Sequence, residues 1–157
     1  LPVRTLKAIS NFGFETARWM YGESAPRSSH KYSRLAVADT ITALNEAHEY
    51  CFSKGAHMIA VLQPNLYTLQ TKSEYEKKLE KRFSQDIKIV VIDAYKQYEA
   101  WVKQIPFGVS ATHIFNNAPS SVFLDWAHVN ARGNELIAKF IFEEIKKRKL
   151  ISVDEEV

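Results

Sequence analysis

Apolar residues recur every three or four positions along much of the chain, which is typical of amphipathic helices. This spacing predicts helices over residues 3–21, 33–54, 71–83, 94–104 and about 130–149. Gly22 and Gly55 follow the first two, where a glycine in the left-handed conformation ends many helices. Asn130 is a good N-cap for the last helix.

Two other runs, residues 57–62 and 87–92, are apolar without alternation. Such runs are typical of parallel strands that are buried on both faces. Pro64 cannot continue a central strand, so it ends the first, while Asp93 would end the second and cap the next helix. The interpretation is a right-handed βαβ unit of an α/β fold, followed by an irregular segment over residues 105–120.

Two strands alone cannot make the sheet that such a pattern predicts, because parallel strands this apolar need neighbours and a helical layer on each face. We therefore expect the sheet to be completed by a preceding segment or by another chain. The chain starts at Leu1 without a methionine. Its 157 residues suit a single domain, and we expect residues 1–157 to be the carboxyl-terminal part of a larger one.

Composition excludes several kinds of site. The net charge of +3 sets no expectation of nucleic acid, and the basic residues 146–149 suit the end of a helix dipole. One cysteine, Cys51, excludes an internal disulfide and a cysteine-based zinc site. No apolar run approaches the roughly 20 residues of a membrane-spanning helix. We expect no cofactor and no metal, since the other four histidines show no ligand spacing.

The most informative stretch is residues 121–138, in which Asp125 and His128 stand three residues apart, just ahead of a helix. On a turn, the carboxylate can accept the imidazole Nδ1–H, which fixes the tautomer and leaves Nε2 free to act as a base. On spacing alone, a polar turn with a local Asx bond is the simpler interpretation. Trp126 would pack there or form a wall of the site.

Phe123-Leu124-Asp125-Trp126-Ala127-His128-Val129-Asn130-Ala131-Arg132-Gly133-Asn134-Glu135-Leu136-Ile137-Ala138 resembles the last conserved block of the SGNH (GDSL-type) hydrolases. Residues 60–64 and 90–93 are similar to the ends of that family's fourth and fifth strands, so the resemblance covers roughly residues 31–149. It implies a three-layer αβα sandwich with a flavodoxin-like parallel sheet, of which this chain supplies about two strands. It also implies that Asp125 and His128 are the acid and base of a catalytic triad.

The chain departs from the family pattern at the other functional positions. It contains neither a Gly-Asp-Ser block, which carries the nucleophile, nor a Gly-x-Asn-Asp block, which carries an oxyanion donor. No serine here follows a strand at a tight glycine turn, the arrangement that exposes a nucleophile. The resemblance therefore matches the acid and base of an active site but not its nucleophile or its oxyanion donor.

The resulting hypothesis is a serine esterase in which His128 acts on a serine outside this chain, with a small acyl ester as substrate, either a lipid or an O-acylated sugar. The chain alone is predicted to be inactive. The alternative is a non-catalytic SGNH-like remnant that acts as a binding or assembly module. A flavodoxin-like ligand domain has no glycine loop to support it. The substrate-binding residues stay open: the loop at Leu66, Tyr67 and Leu69 would line an acyl pocket or simply tuck inward. The family resemblance leans toward a bacterial extracytoplasmic or membrane-associated location.

Overall fold

A computed structural model describes residues 29–150, so the helix predicted over residues 3–21 lies outside the described part. The helices are α1 (Ser29–Ser53), α2 (Glu74–Glu80), α3 (Gln85–Val102) and α4 (Ala131–Lys147), with a 3₁₀ turn at Leu66–Thr68. The strands are β1 (Ala60–Leu62) and β2 (Gly108–Ser110). Among these described helices, none is long and apolar enough to cross a membrane.

The two strands pair in parallel, with Ala60 opposite Gly108 and Leu62 opposite Ser110. The amide of Ala60 donates to the carbonyl of Phe107 (2.7 Å), and the amide of Ala111 donates to that of Leu62 (2.9 Å). Helix α3 lies between the strands in the chain and packs against both of them and against α1. The predicted α/β class is therefore confirmed, with a two-stranded parallel sheet in the described residues.

The strand predicted over residues 87–92 is wrong, because this run is the first half of α3. The Ser84 hydroxyl accepts a hydrogen bond from the amide of Ile87 and so caps the helix. The buried residues Ile87 and Val90 are three apart, as helix packing requires. A short apolar run fits a buried helix as well as a buried strand, and here the cap and the packing outweigh the strand preference of its β-branched residues.

Asp93 consequently lies in the middle of α3 and not at the end of a strand, so its predicted capping role is also wrong. Its carboxylate accepts hydrogen bonds from Ser33 Oγ (3.3 Å) and Gln97 Nε2 (3.1 Å). The bond to Ser33 joins α3 to α1. The helix predicted over residues 94–104 is the second half of α3.

The true second strand, β2, lies in the segment over residues 105–120 that was predicted to be irregular. Gly108 opens it, and a Cβ atom at this position would lie 2.7 Å from Ile105 Cγ1 and 2.8 Å from the carbonyl oxygen of Val102. The strand can therefore follow α3 this closely only because residue 108 has no side chain.

The outer helices agree with the sequence pattern. Helix α1 ends before Gly55, whose φ of +69° is the predicted left-handed conformation. Helix α4 begins after Asn130, whose side chain accepts from the amide of Gly133 (3.0 Å). Both the last helix and its cap are thus confirmed.

Buried apolar side chains form two clusters of unequal size. The larger contains Leu66, Leu69, Leu79, Phe115, Val122 and Phe123 and lies under the segment that carries Asp125 and His128. The smaller contains Ile87 and Val90 on α3, with Val91 against them. The candidate site lies over the larger cluster.

Candidate active site

Asp125 and His128 lie in a closed turn that leads into α4. Phe123 and Val129 form an antiparallel bridge. The amide of Leu124 donates to the carbonyl of His128 (2.8 Å), and the amide of Asn130 donates to that of Val122 (2.8 Å). These bonds close the backbone on either side of the Asp-x-x-His sequence. We call residues 124–128 the catalytic turn, after the role that the sequence resemblance implies for Asp125 and His128.

Within the catalytic turn, the Asp125 carboxylate makes three short contacts. Its Oδ1 accepts hydrogen bonds from the amides of Ala127 and His128, both at 2.7 Å. Its Oδ2 lies 2.6 Å from His128 Nδ1. The local Asx bonds and the acid–imidazole bond, two interpretations that the spacing had left as alternatives, are present together.

The pKa of the Asp125 carboxyl is lowered from its usual value. Partial burial raises the pKa of this group, but the hydrogen bonds from the backbone amides of His128 and Ala127, together with the bond to the His128 ring, lower it by more. The carboxylate is therefore ionised at neutral pH and acts only as an acceptor. A neutral His128 ring that donates to it carries its proton on Nδ1, so the lone pair lies on Nε2.

The His128 ring is open to solvent, while its partner is more enclosed. The side chain of His128 is 80% exposed and that of Asp125 is 35% exposed. Within residues 29–150, the ring has no hydrogen-bond partner other than Asp125. Its Nε2 is therefore accessible to an incoming group.

The turn is held from below by buried side chains of the larger core cluster. Phe123 is 1% exposed and contacts Phe115 edge to face, with ring centroids 5.4 Å apart. In the first turn of α4, Gly133 lies so close that an added Cβ would be 2.6 Å from Val129 Cβ. The start of α4 and the turn thus pack closely together over the larger core cluster.

The loop after β1 holds the turn from the side. The amide of Leu66 donates to the carbonyl of Trp126 (2.9 Å), and the ring of Tyr67 stacks on that of Trp126 with centroids 6.4 Å apart. The catalytic turn therefore lies beside the segment that follows the carboxyl end of β1, the end of parallel strands where α/β proteins place their sites. Leu66 and Leu69 are buried, so this loop tucks inward.

Tyr67 belongs to the loop for which the sequence left two interpretations open, and its ring lies against the turn. Burial, Glu80 and Asp125 all raise the pKa of its phenol, the first most strongly. Its hydroxyl oxygen is buried without a hydrogen-bond partner in residues 29–150. Its position depends on stacking between distant parts of the chain, which no local motif encodes.

The serines near this region are occupied by other partners. Ser110 bonds to Glu99, Ser121 Oγ donates to Glu76 (3.1 Å), and Ser73 and Ser84 cap helices. Ser33 bonds to Asp93. In the described residues, no serine hydroxyl is hydrogen-bonded to His128.

An open groove adjoins the turn on its other side. It lies between α1 and α3, has a volume of about 610 Å³, and is bordered by Trp126 and Ala127 of the catalytic turn. No group of three His, Cys, Asp or Glu side chains within residues 29–150 is placed to hold a metal ion.

Comparison of the chain with models of known protein families, with curated proteins and with solved structures found no match. Function is therefore inferred from the geometry of the turn and from the resemblance of its sequence.

Proposed function

We propose that this chain supplies the acid and base of an SGNH-type serine esterase. The observation that supports this proposal most directly is the contact between Asp125 and His128, in which Oδ2 lies 2.6 Å from Nδ1. In the proposed site, a serine hydroxyl from the segment or chain that completes the sheet approaches His128 Nε2. This is the orientation of acid, base and nucleophile that a hydrolytic triad needs.

The proposed reaction has an acylation step and a deacylation step, and in each of them His128 acts first as a base and then as an acid. Nε2 takes the serine proton as the oxygen attacks the ester carbonyl, and it then gives that proton to the leaving alcohol. A water molecule, deprotonated in turn by Nε2, releases the acid and restores the serine. Asp125 keeps Nδ1 protonated and stabilises the imidazolium that forms each time Nε2 holds a transferred proton.

Three features support this proposal over a polar turn without a role. The carboxylate is already fixed by two backbone amides, so it holds the imidazole in one orientation. The ring is exposed, although a purely structural pair would be better shielded. The turn adjoins the segment that follows β1, as the proposed αβα sandwich requires.

The test is hydrolysis of p-nitrophenyl acetate by the protein with its completed sheet. Asp125→Asn should lower kcat by roughly 10⁴-fold, and His128→Ala should abolish hydrolysis, a loss of roughly 10⁶-fold. His57→Ala is the matched control, since His57 is exposed and lies outside the turn, and it should retain full activity.

Undiminished hydrolysis by His128→Ala would contradict the proposal and favour the non-catalytic binding module. The 157-residue chain alone should not react with a fluorophosphonate probe. Labelling of one of its own serines would show that the nucleophile lies within this chain, contrary to the proposal.

A further inference from the structure

The groove between α1 and α3 is an open apolar surface within residues 29–150. Its volume is about 610 Å³, and alanine, valine and leucine side chains make up most of its walls, with the rings of Tyr95 and Tyr98. Large apolar surfaces that stay exposed are uncommon in proteins and mark places where something else packs. The groove therefore calls for an occupant.

The shape of the groove suits a third helix. On α1 its lining runs from Ser33 to Ala47, about 21 Å or four turns of helix. Both walls carry small side chains, among them Ala43 on α1 and Ala94 on α3. Small side chains at a contact let helix axes approach to the short end of the usual range of about 8–10 Å. A helix that lies along the groove would thus bury an apolar stripe of its own.

The sequence predicts such a helix just ahead of α1. It covers residues 3–21, which lie outside the described part, and we call these residues the amino-terminal segment. On a helical projection, one face of the segment is polar and carries Arg4, Lys7, Asn11, Glu15 and Arg18. The opposite face is apolar and carries Leu6, Ile9 and Met20.

The connection to α1 favours this segment over a separate partner. Helix α1 begins at Ser29, so the seven residues 22–28 join it to the segment. Connections of about 2–8 residues are usual between packed helices, and Gly22 and Pro26 suit a reversal of the chain. A short tether also gives an effective concentration on the order of millimolar, with which an untethered partner has to compete.

The charges of the segment and the groove are opposite in sign. The only charged residue that lines the groove is Asp39, which is exposed. The segment carries three basic residues and one acidic residue. Attraction between exposed charges is weak, so it assists the packing of the apolar face and does not replace it.

We infer that residues 3–21 pack as a helix along this groove, antiparallel to α1, with their apolar face against its walls. The inference goes beyond the proposed function and does not depend on it. The rise per residue sets the register, because Ile9 lies about 18 Å before the end of the segment at Tyr21, and Ala43 lies about 21 Å after the start of α1 at Ser29. Ile9 is therefore placed opposite Ala43.

The test is disulfide exchange with glutathione in the full 157-residue chain. A Cys51→Ser background leaves only the engineered thiols, since Cys51 is the one native cysteine. The pair Ile9→Cys with Ala43→Cys should form an intramolecular disulfide, because that bond requires Cβ atoms about 3.5–4.5 Å apart. Its effective concentration should exceed that of two matched control pairs at least tenfold.

Each control pair moves one thiol to the wrong face. In the first, Thr42→Cys replaces Ala43→Cys, because Thr42 is adjacent and exposed but does not line the groove. In the second, Lys7→Cys replaces Ile9→Cys, because Lys7 lies on the polar face of the segment. Equal disulfide formation in all three pairs would overturn the inference. Disulfide-linked dimers would also overturn it, since a second copy would then occupy the groove.

A second measurement needs no added thiol. Ile9→Lys should lower the midpoint of urea unfolding by about 1 M, because it removes a buried apolar side chain. Asn11→Lys, on the polar face, should leave the midpoint unchanged. An unchanged midpoint in Ile9→Lys would contradict the inference. Neither measurement involves hydrolysis, so failure here leaves the proposed esterase standing, and loss of the esterase leaves this packing standing.

Discussion

On one side of the catalytic turn lies the larger core cluster, and on the other lies the open groove between α1 and α3. The first side buries Phe123, Val122 and Leu66 almost completely. The second is lined by few fully buried side chains, among them Val37 and Val90. The packed side therefore fixes the position of Asp125 and His128, while the other side of the turn stays open within residues 29–150.

The largest effect should come from removing the Phe123 ring from the core cluster under the turn. Phe123→Ala should lower the free energy of unfolding by about 3–5 kcal/mol, through lost burial and a cavity under the turn. Urea denaturation measures this directly. Leu124→Ala is the matched control. Leu124 is the next residue, its side chain is 58% exposed, and the substitution should lower the free energy of unfolding by less than about 0.5 kcal/mol.

On the groove side, Val90→Ala should cost only about 1–2 kcal/mol, since it deletes two methyl groups beside a space that is already open. A cost equal to that of Phe123→Ala would contradict the contrast between the two sides.

The next effect tests the close fit of α4 against the turn. At an ordinary helix position, Gly→Ala stabilises by about 1 kcal/mol. At Gly133 the added Cβ would lie 2.6 Å from Val129 Cβ and 3.3 Å from Val122 Cβ. Gly133→Ala should therefore destabilise the protein by about 1–3 kcal/mol in the same denaturation assay. A gain in stability would show that the helix start is loose.

The smallest effect is a pH dependence from Asp125. Because its folded-state pKa lies below that of an unfolded aspartate, the ionised carboxylate stabilises the fold above about pH 4, and this contribution is lost as pH falls through the folded pKa. The difference in unfolding free energy between the native protein and Asp125→Asn should therefore shrink on acidification.

The variant His128→Ala should keep most of this pH dependence, because both backbone amides still bind the carboxylate. Loss of the whole effect in that variant would show that the imidazole alone lowers the pKa of Asp125.

The sequence predicted the elements whose signals are local. Asp125 and His128 are three residues apart, and a turn brings their side chains together without help from distant parts of the chain. Asn130 caps α4 by a bond to its own third residue, which is also local. These features could be predicted because each depends on a few adjacent residues.

The errors fall where tertiary packing decides. The run at 87–92 carries β-branched residues that suit a strand, but packing of Ile87 and Val90 makes it helical. Strand β2 has three residues, too few to give a pattern, and it forms only because β1 lies alongside. The stacking of Tyr67 on Trp126 joins loops far apart in the sequence, so it could not be predicted.

The proposed role of His128 requires that Asp125 hold the ring proton on Nδ1. The ¹⁵N chemical shifts of the two ring nitrogens report which one is protonated in the neutral imidazole. We predict protonation at Nδ1 and a bare Nε2 in the native chain, and loss of this single tautomer in Asp125→Ala. A native ring that carries its proton on Nε2 would contradict the account, because no lone pair would then be available for a nucleophile.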